Sequence, residues 1–128
     1  MLPRAHRLTS GAEISSVIRH GRRYRIPHGT VHMWITSEPN VVRAAFVVGK
    51  PVGNSVVRST VARRLRHGFA PLISMTPPGS RVVVRVFEGS DALSSTEWTE
   101  HLRTALTAMS AVLMPAAPPA VAQDGDGS

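Results

Sequence analysis

A four-residue apolar repeat, Val57, Val61, Leu65 and Phe69, runs through residues 53–69, GNSVVRSTVARRLRHGF, and sits between two valine-rich stretches. Apolar residues four apart share one face of a helix. The flanking stretches, Arg43 to Lys50 and Arg81 to Phe87 (RVVVRVF), are short and rich in Val, which marks strands. A helix held between two such strands is a β-α-β crossover, and that unit leaves few small folds open. The second strand, almost wholly β-branched, reads as the central one. Asn54 or Ser55 supplies the helix N-cap.

The rest of the chain adds elements at both ends. Ser10-Gly11-Ala12-Glu13 has the spacing of a capping box. Ile14, Val17 and Ile18 follow on one face, and Gly21 is placed to end the helix, so the pattern predicts a helix over 11–20. RRYR at 22–25 reads as a basic turn. Thr30 to Thr36 alternates, with Val31, Met33 and Ile35 on one face and His32 and Trp34 on the other, as a half-buried strand does. Glu38-Pro39-Asn40 is a turn and Thr76-Pro77-Pro78-Gly79 a loop. Ser94-Ser95-Thr96-Glu97 is a second capping box. It opens a long helix whose stripe is Trp98, Leu102, Ala105, Leu106, Met109 and Leu113, with Pro115 as the stop. The expected fold is a small α+β sandwich in the order α-β-β-α-β-α, one domain over residues 1–114. The acidic, Pro- and Ala-rich tail at 115–128 is expected to be disordered.

Charge narrows the function. The net is +7, but residues 1–85 hold fourteen of the fifteen Lys and Arg against only Glu13 and Glu38, a balance of +12. The remainder carries −5. Residues 53–69 hold four arginines and no carboxylate. Such a half is built to meet a polyanion. Nucleic acid fits best, because arginine offers phosphate a planar fork. A membrane surface fits less well, since the basic stretch has no bulky apolar face. The amide N–H groups at the start of the arginine helix add to the attraction for phosphate.

Other classes fall away. There is no cysteine, which excludes disulfides, thiolate metal sites and a Cys nucleophile, and suits the cytosol. No apolar run approaches the ~20 residues of a membrane helix. The six histidines lack metal-ligand spacing. Residues 49–54, GKPVGN, lack the full phosphate-loop pattern. Paired carboxylates for acid–base work are missing from the basic part. Cleavage of RNA by the protein alone is therefore not expected.

LPRAHRL at 2–8, a short helix ending at Gly21, and VGKPVGNSVVRSTVARRLRH at 48–67 together resemble the bacterial ribonuclease P protein subunit. Lys50, Gly53, Asn54, Val56, Arg58, Arg63, Arg64 and Arg66 match the family signature position by position. The likeness covers residues 2 to about 113 in element order. It implies a sandwich of the ribosomal-protein type with a left-handed β-α-β crossover, where the general rule expects a right-handed one. It also implies an assisting role: a catalytic RNA with its Mg²⁺ ions removes the 5′ leader of precursor tRNA. The protein then binds the RNA through Arg4, His6, Arg7, Lys50, Asn54, Arg58, Arg63, Arg64 and Arg66. A cleft with Ile14, Ile18, Tyr24, Trp34 and Arg85 takes the single-stranded leader. No residue is catalytic or metal-ligating, Mg²⁺ is bound mainly by the RNA, and no obligate protein partner is evident. The expected setting is the cytoplasm.

Two departures stand out. Ser59 and Thr60 occupy positions where the family has Asn and Arg. Ile14 and Ile18 stand where it often has Phe, which removes stacking worth about 1–3 kcal/mol per base. Tyr24, His32 and Trp34 are candidates to replace it, although an amphipathic Trp suits packing equally. A non-catalytic binder of structured RNA is the alternative reading.

Overall fold

The computed structural model describes residues 4–36 and 41–113; the Glu38-Pro39-Asn40 turn and the tail at 115–128 lie outside them. Among the described residues, three α-helices and four strands follow one another in the order α1 (Gly11–His20), β1 (Arg22–Ile26), β2 (Gly29–Ile35), β3 (Arg43–Val48), α2 (Ser55–Phe69), β4 (Ser80–Val86) and α3 (Ser95–Leu113). The sheet order is β1-β2-β4-β3, with only β3 and β4 parallel. β4 is thus an inner strand, as its composition indicated.

The basic segment at 22–25 is a strand, β1, and not a turn. It forms a hairpin with β2 around Pro27 and His28, with Ile26 opposite Gly29. His28 takes a positive φ of 61°, as the second central residue of a type II turn does. Alternation is hard to see in β1 because it is an edge strand whose arginines lie on both faces. Only Tyr24 and Ile26 turn inward from it onto the main core.

The main core lies on one face of the sheet. Val31, Met33, Ala44, Val82, Val84 and Val86 pack there against Val61, Leu65 and Phe69 of α2 and Trp98, Leu102, Ala105 and Leu106 of α3. α2 lies over β3, and α3 over β1 and β2. The two helices approach closely at Gly68, where a Cβ would sit 2.9 Å from the Ser95 carbonyl oxygen. The other face carries a smaller core of Leu8, Val17, Ala45 and Val83, with Ile14 and Ile18 half-buried beside it. α1 covers only this part of the sheet.

The hand of the β3–α2–β4 crossover follows from the ladder. The Phe87 N–H donates to the His28 carbonyl at 2.8 Å, and the Thr36 N–H to the Gly79 carbonyl at 2.9 Å. Odd-numbered β4 residues therefore turn their peptide groups toward β2, while the side chains of Arg81 and Val83 face α1. On a strand running upward, an L residue whose side chain faces the viewer has its peptide groups on the right. Seen from α1, β2 is then right of β4 and β3 is left. The chain passes from left to right behind the sheet, which is a left-handed connection, the hand of roughly 2% of such units.

Candidate nucleic-acid interface

The arginine helix begins where Asn54 caps it, its side-chain oxygen accepting from the Val57 N–H at 3.0 Å. The apolar stripe then fixes which arginines face outward. Arg63 is exposed, Arg66 half-buried and Lys50 exposed just before the helix. Arg58 lies at the edge of the stripe, with its Nε enclosed by protein. Arg64 is committed inward: one guanidinium nitrogen donates to the Asp91 carbonyl at 2.9 Å and the Leu93 carbonyl at 3.4 Å. It ties α2 to the loop before α3. Ser59 is exposed, and the Thr60 hydroxyl donates to the Val56 carbonyl at 3.0 Å, so neither replaces the charge that the family carries there.

The N-terminal segment lies along the far side of β3. The Leu8 N–H donates to the Ala44 carbonyl at 2.8 Å, and Arg7 forms a parallel bridge with Ala44. His6 donates from Nδ1 to the Val42 carbonyl at 2.7 Å, which anchors this segment and occupies one of its ring nitrogens. Arg4 opens a short 3₁₀ turn, Arg4–His6.

The opposite face of the sheet holds a different group of residues. Trp34, 41% exposed, meets the ring of His20 edge-on, with centroids 5.9 Å apart at the end of α1. Ile14 and Ile18 present partly exposed flanks nearby on α1, and Arg85 is exposed on β4. Tyr24 is not with them. It pairs with Val31 and packs against the main core on the α3 side, because side chains alternate across a strand and Tyr24 is out of step with Arg23 and Arg25.

Two further residues shape this face: Arg81, whose role was not read from the sequence, and His32, which is buried and so is not the exposed stacking ring the sequence offered. Arg81 is 1% exposed; its Nε donates to Glu13 at 3.1 Å and one Nη to the Val41 carbonyl at 3.0 Å. Ser10 does cap Glu13's N–H at 3.3 Å, but the Glu13 carboxylate reaches the sheet. The only signal was a lone acid on the helix and arginines within an otherwise apolar strand. His32 is the second. It is 2% exposed, and neither ring nitrogen has a partner among the described residues. Burial, then the Arg85 and Arg23 guanidiniums, hold its pKa below the ordinary value.

The sheet thus separates two surfaces, an arginine helix behind and a half-covered, partly apolar cleft in front. This is an α+β domain with an arginine-bearing helix on one side of the sheet and a face only partly covered by α1 on the other. The model of the family Ribonuclease P matches residues 2–110. A Ribonuclease P protein component of Mycolicibacterium paratuberculosis is 39% identical over 115 residues, 87% of this chain and 97% of the relative. One from Streptomyces avermitilis is 37% identical over 114 residues, covering 83% and 93%. The RNase P protein structure of Staphylococcus aureus superposes with a TM-score of 0.71 at 19% identity, over 82% of this chain and 95% of that one. The structure from Thermotoga maritima gives 0.70 at 18% identity, over 80% and 96%. The chain belongs to the ribonuclease P protein family. Among the described residues no helix is long and apolar enough to cross a membrane.

Proposed function

We propose that this chain is the protein subunit of ribonuclease P, which assists a catalytic RNA in endonucleolytic removal of the 5′ leader from precursor tRNA. The observation that carries this is the placement of two unlike surfaces on opposite faces of one sheet, within a chain of this family. On the back, Arg63, Arg66, Lys50 and the exposed part of Arg58 neutralise phosphates of the catalytic RNA. Each contact releases counterions, so affinity falls steeply with salt. On the front, Ile14, Ile18, Trp34 and Arg85 hold the single-stranded leader. One partner on each face lets the protein bridge enzyme RNA and substrate without competition.

Mg²⁺ belongs to the RNA in this reading. The protein's part is charge: arginines that fix RNA phosphates in place lower the Mg²⁺ needed to hold the same arrangement. The setting is the cytoplasm, with no obligate protein partner.

The test is reconstitution. Cleavage of precursor tRNA by a cognate bacterial ribonuclease P RNA is measured at low Mg²⁺ with and without the protein. The expected result is stimulation, with no cleavage by the protein alone. Absence of stimulation overturns the reading.

A further inference from the structure

The front face continues past the cleft. β1, β2 and β4 set Arg25, Thr30 and Arg85 in one row across the sheet, and Arg23, His32 and Val83 in the next. α1 covers the Val83 end of the second row and leaves the β1 side open. Arg23, Arg25 and Thr30 line an open hollow of about 340 Å³ there. Arg23, Arg25 and Arg85 are exposed, and no ion pair among the described residues involves them. Arg25 and Arg85 are two strands apart, about 10 Å between backbones. Arginine side chains at that spacing reach separate phosphates of one strand, and they raise the local potential together.

The floor of this region carries an independent sign of a missing ligand. His32 is buried with both ring nitrogens unpartnered, between Arg23 and Arg85. Buried polar side chains are ordinarily satisfied. A neutral imidazole has one N–H to give, and a phosphate oxygen drawn in by the flanking guanidiniums is an acceptor of the right charge.

We infer that the β1–β2 hairpin face, through Arg23, Arg25, Thr30 and Arg85 over His32, is a phosphodiester-binding tract for leader nucleotides lying beyond the cleft beside α1. This rests on the front face being the leader side. The occupant is the leader and not the catalytic RNA because the tract is continuous with Trp34 on the same face, whereas α2 lies behind the sheet. The tract binds backbone, not sequence: three guanidiniums and a hydroxyl face the solvent, with no aromatic ring among them.

The reconstituted complex of protein and catalytic RNA provides the test. Precursor tRNAs with a short leader, ending beside α1, and with a long leader are compared for wild type, Arg23→Ala, Arg25→Ala and Arg22→Ala. Arg22 lies on the same strand and loses the same charge, but it pairs with Met33 and faces the other side. Arg23→Ala and Arg25→Ala each weaken long-leader binding about tenfold, as loss of a charge-assisted contact does, and lower the salt slope by roughly 0.7. Short-leader binding and Arg22→Ala stay at the wild-type level. Equal losses with both leaders, an equal loss in Arg22→Ala, or no loss in either variant overturns the tract. Equal binding of both leaders by wild type also overturns the tract, whereas the front-face leader reading fails instead if the short-leader precursor binds no more tightly than mature tRNA, so the two failures are distinct.

Discussion

Arg81 and Glu13 join helix α1 to the sheet across 3.1 Å, and one partner is 1% exposed while the other is 37% exposed. The small core beneath α1 has only four buried apolar residues, so this pair is a major part of what positions the helix. Arg81 keeps backbone carbonyl partners when Glu13 is changed, which moderates the loss. Glu13→Gln is expected to cost at most about 1.5–3 kcal/mol, the range for a hydrogen bond to a charged group. Urea denaturation checks it. A change within experimental scatter would mean that the backbone carbonyls alone satisfy Arg81.

Gly68 sets helix propensity against packing. Ala is favoured over Gly inside a helix by about 1 kcal/mol. Here the new Cβ would come within 2.9 Å of the Ser95 carbonyl and 3.0 Å of the Trp98 Cβ. Neither is the free end of a flexible side chain, so α2 and α3 must separate. Gly68→Ala is expected to destabilise by about 1–3 kcal/mol, as overpacking does. A more stable variant in thermal unfolding would refute the close approach.

The arginines of α2 divide by role. Arg63→Ala is expected to leave stability within about 0.5 kcal/mol while weakening RNA binding and lowering the salt slope by about 0.9 for a duplex phosphate contact. Arg66→Ala is expected to act in the same direction. Arg64→Ala is expected to lose about 1–2 kcal/mol of stability, because two carbonyls of the Asp91–Leu93 loop lose their donor. Paired denaturation and filter-binding titrations separate the two behaviours. Equal effects of Arg63→Ala and Arg64→Ala on both measurements would erase the division.

His32 links stability to pH. Its burial, with Arg85 and Arg23 nearby, lowers its proton affinity in the folded chain. The unfolded chain then binds the proton more tightly, so stability rises with pH. The penalty is absent well above the ordinary value of 6.5 and grows as pH falls below it toward the lowered folded value. His32→Leu is expected to flatten this acid-side loss and to match or exceed wild-type stability at neutral pH, since a buried unpaired polar group is removed. Denaturation midpoints measured across the acid range decide it; an unchanged pH slope would assign the effect to other groups.

Local patterns carried much of the fold. The stripes of α2 and α3, the Ser94–Glu97 capping box and the β-branched run of β4 each depend on neighbours within a few residues, and each element formed where its pattern lay. Ser94 and Glu97 cap one another reciprocally, at 2.9 and 3.1 Å. β1 escaped notice because a strand at an edge needs no apolar face of its own beyond Tyr24 and Ile26. The site was legible in kind and less so in membership. The density of arginine pointed to a polyanion, while the inward duty of Arg64 follows from contact with a loop 27 residues away and leaves Arg63 as the exposed neighbour.

By itself, then, the sequence determined the helices, three of the four strands, the excess of arginine and the family signature, because these arise from periodicity, capping, composition and the order of residues within a short motif. Tertiary structure alone decided that Tyr24 and Trp34 lie on opposite faces, that Glu13 binds Arg81, that His32 is buried beside two arginines, and that the arginine helix and the cleft are back to back. Those facts depend on strand register and on contacts between residues far apart in the chain. A one-residue change of register exchanges the two faces of a strand, and no local pattern in the letters records it.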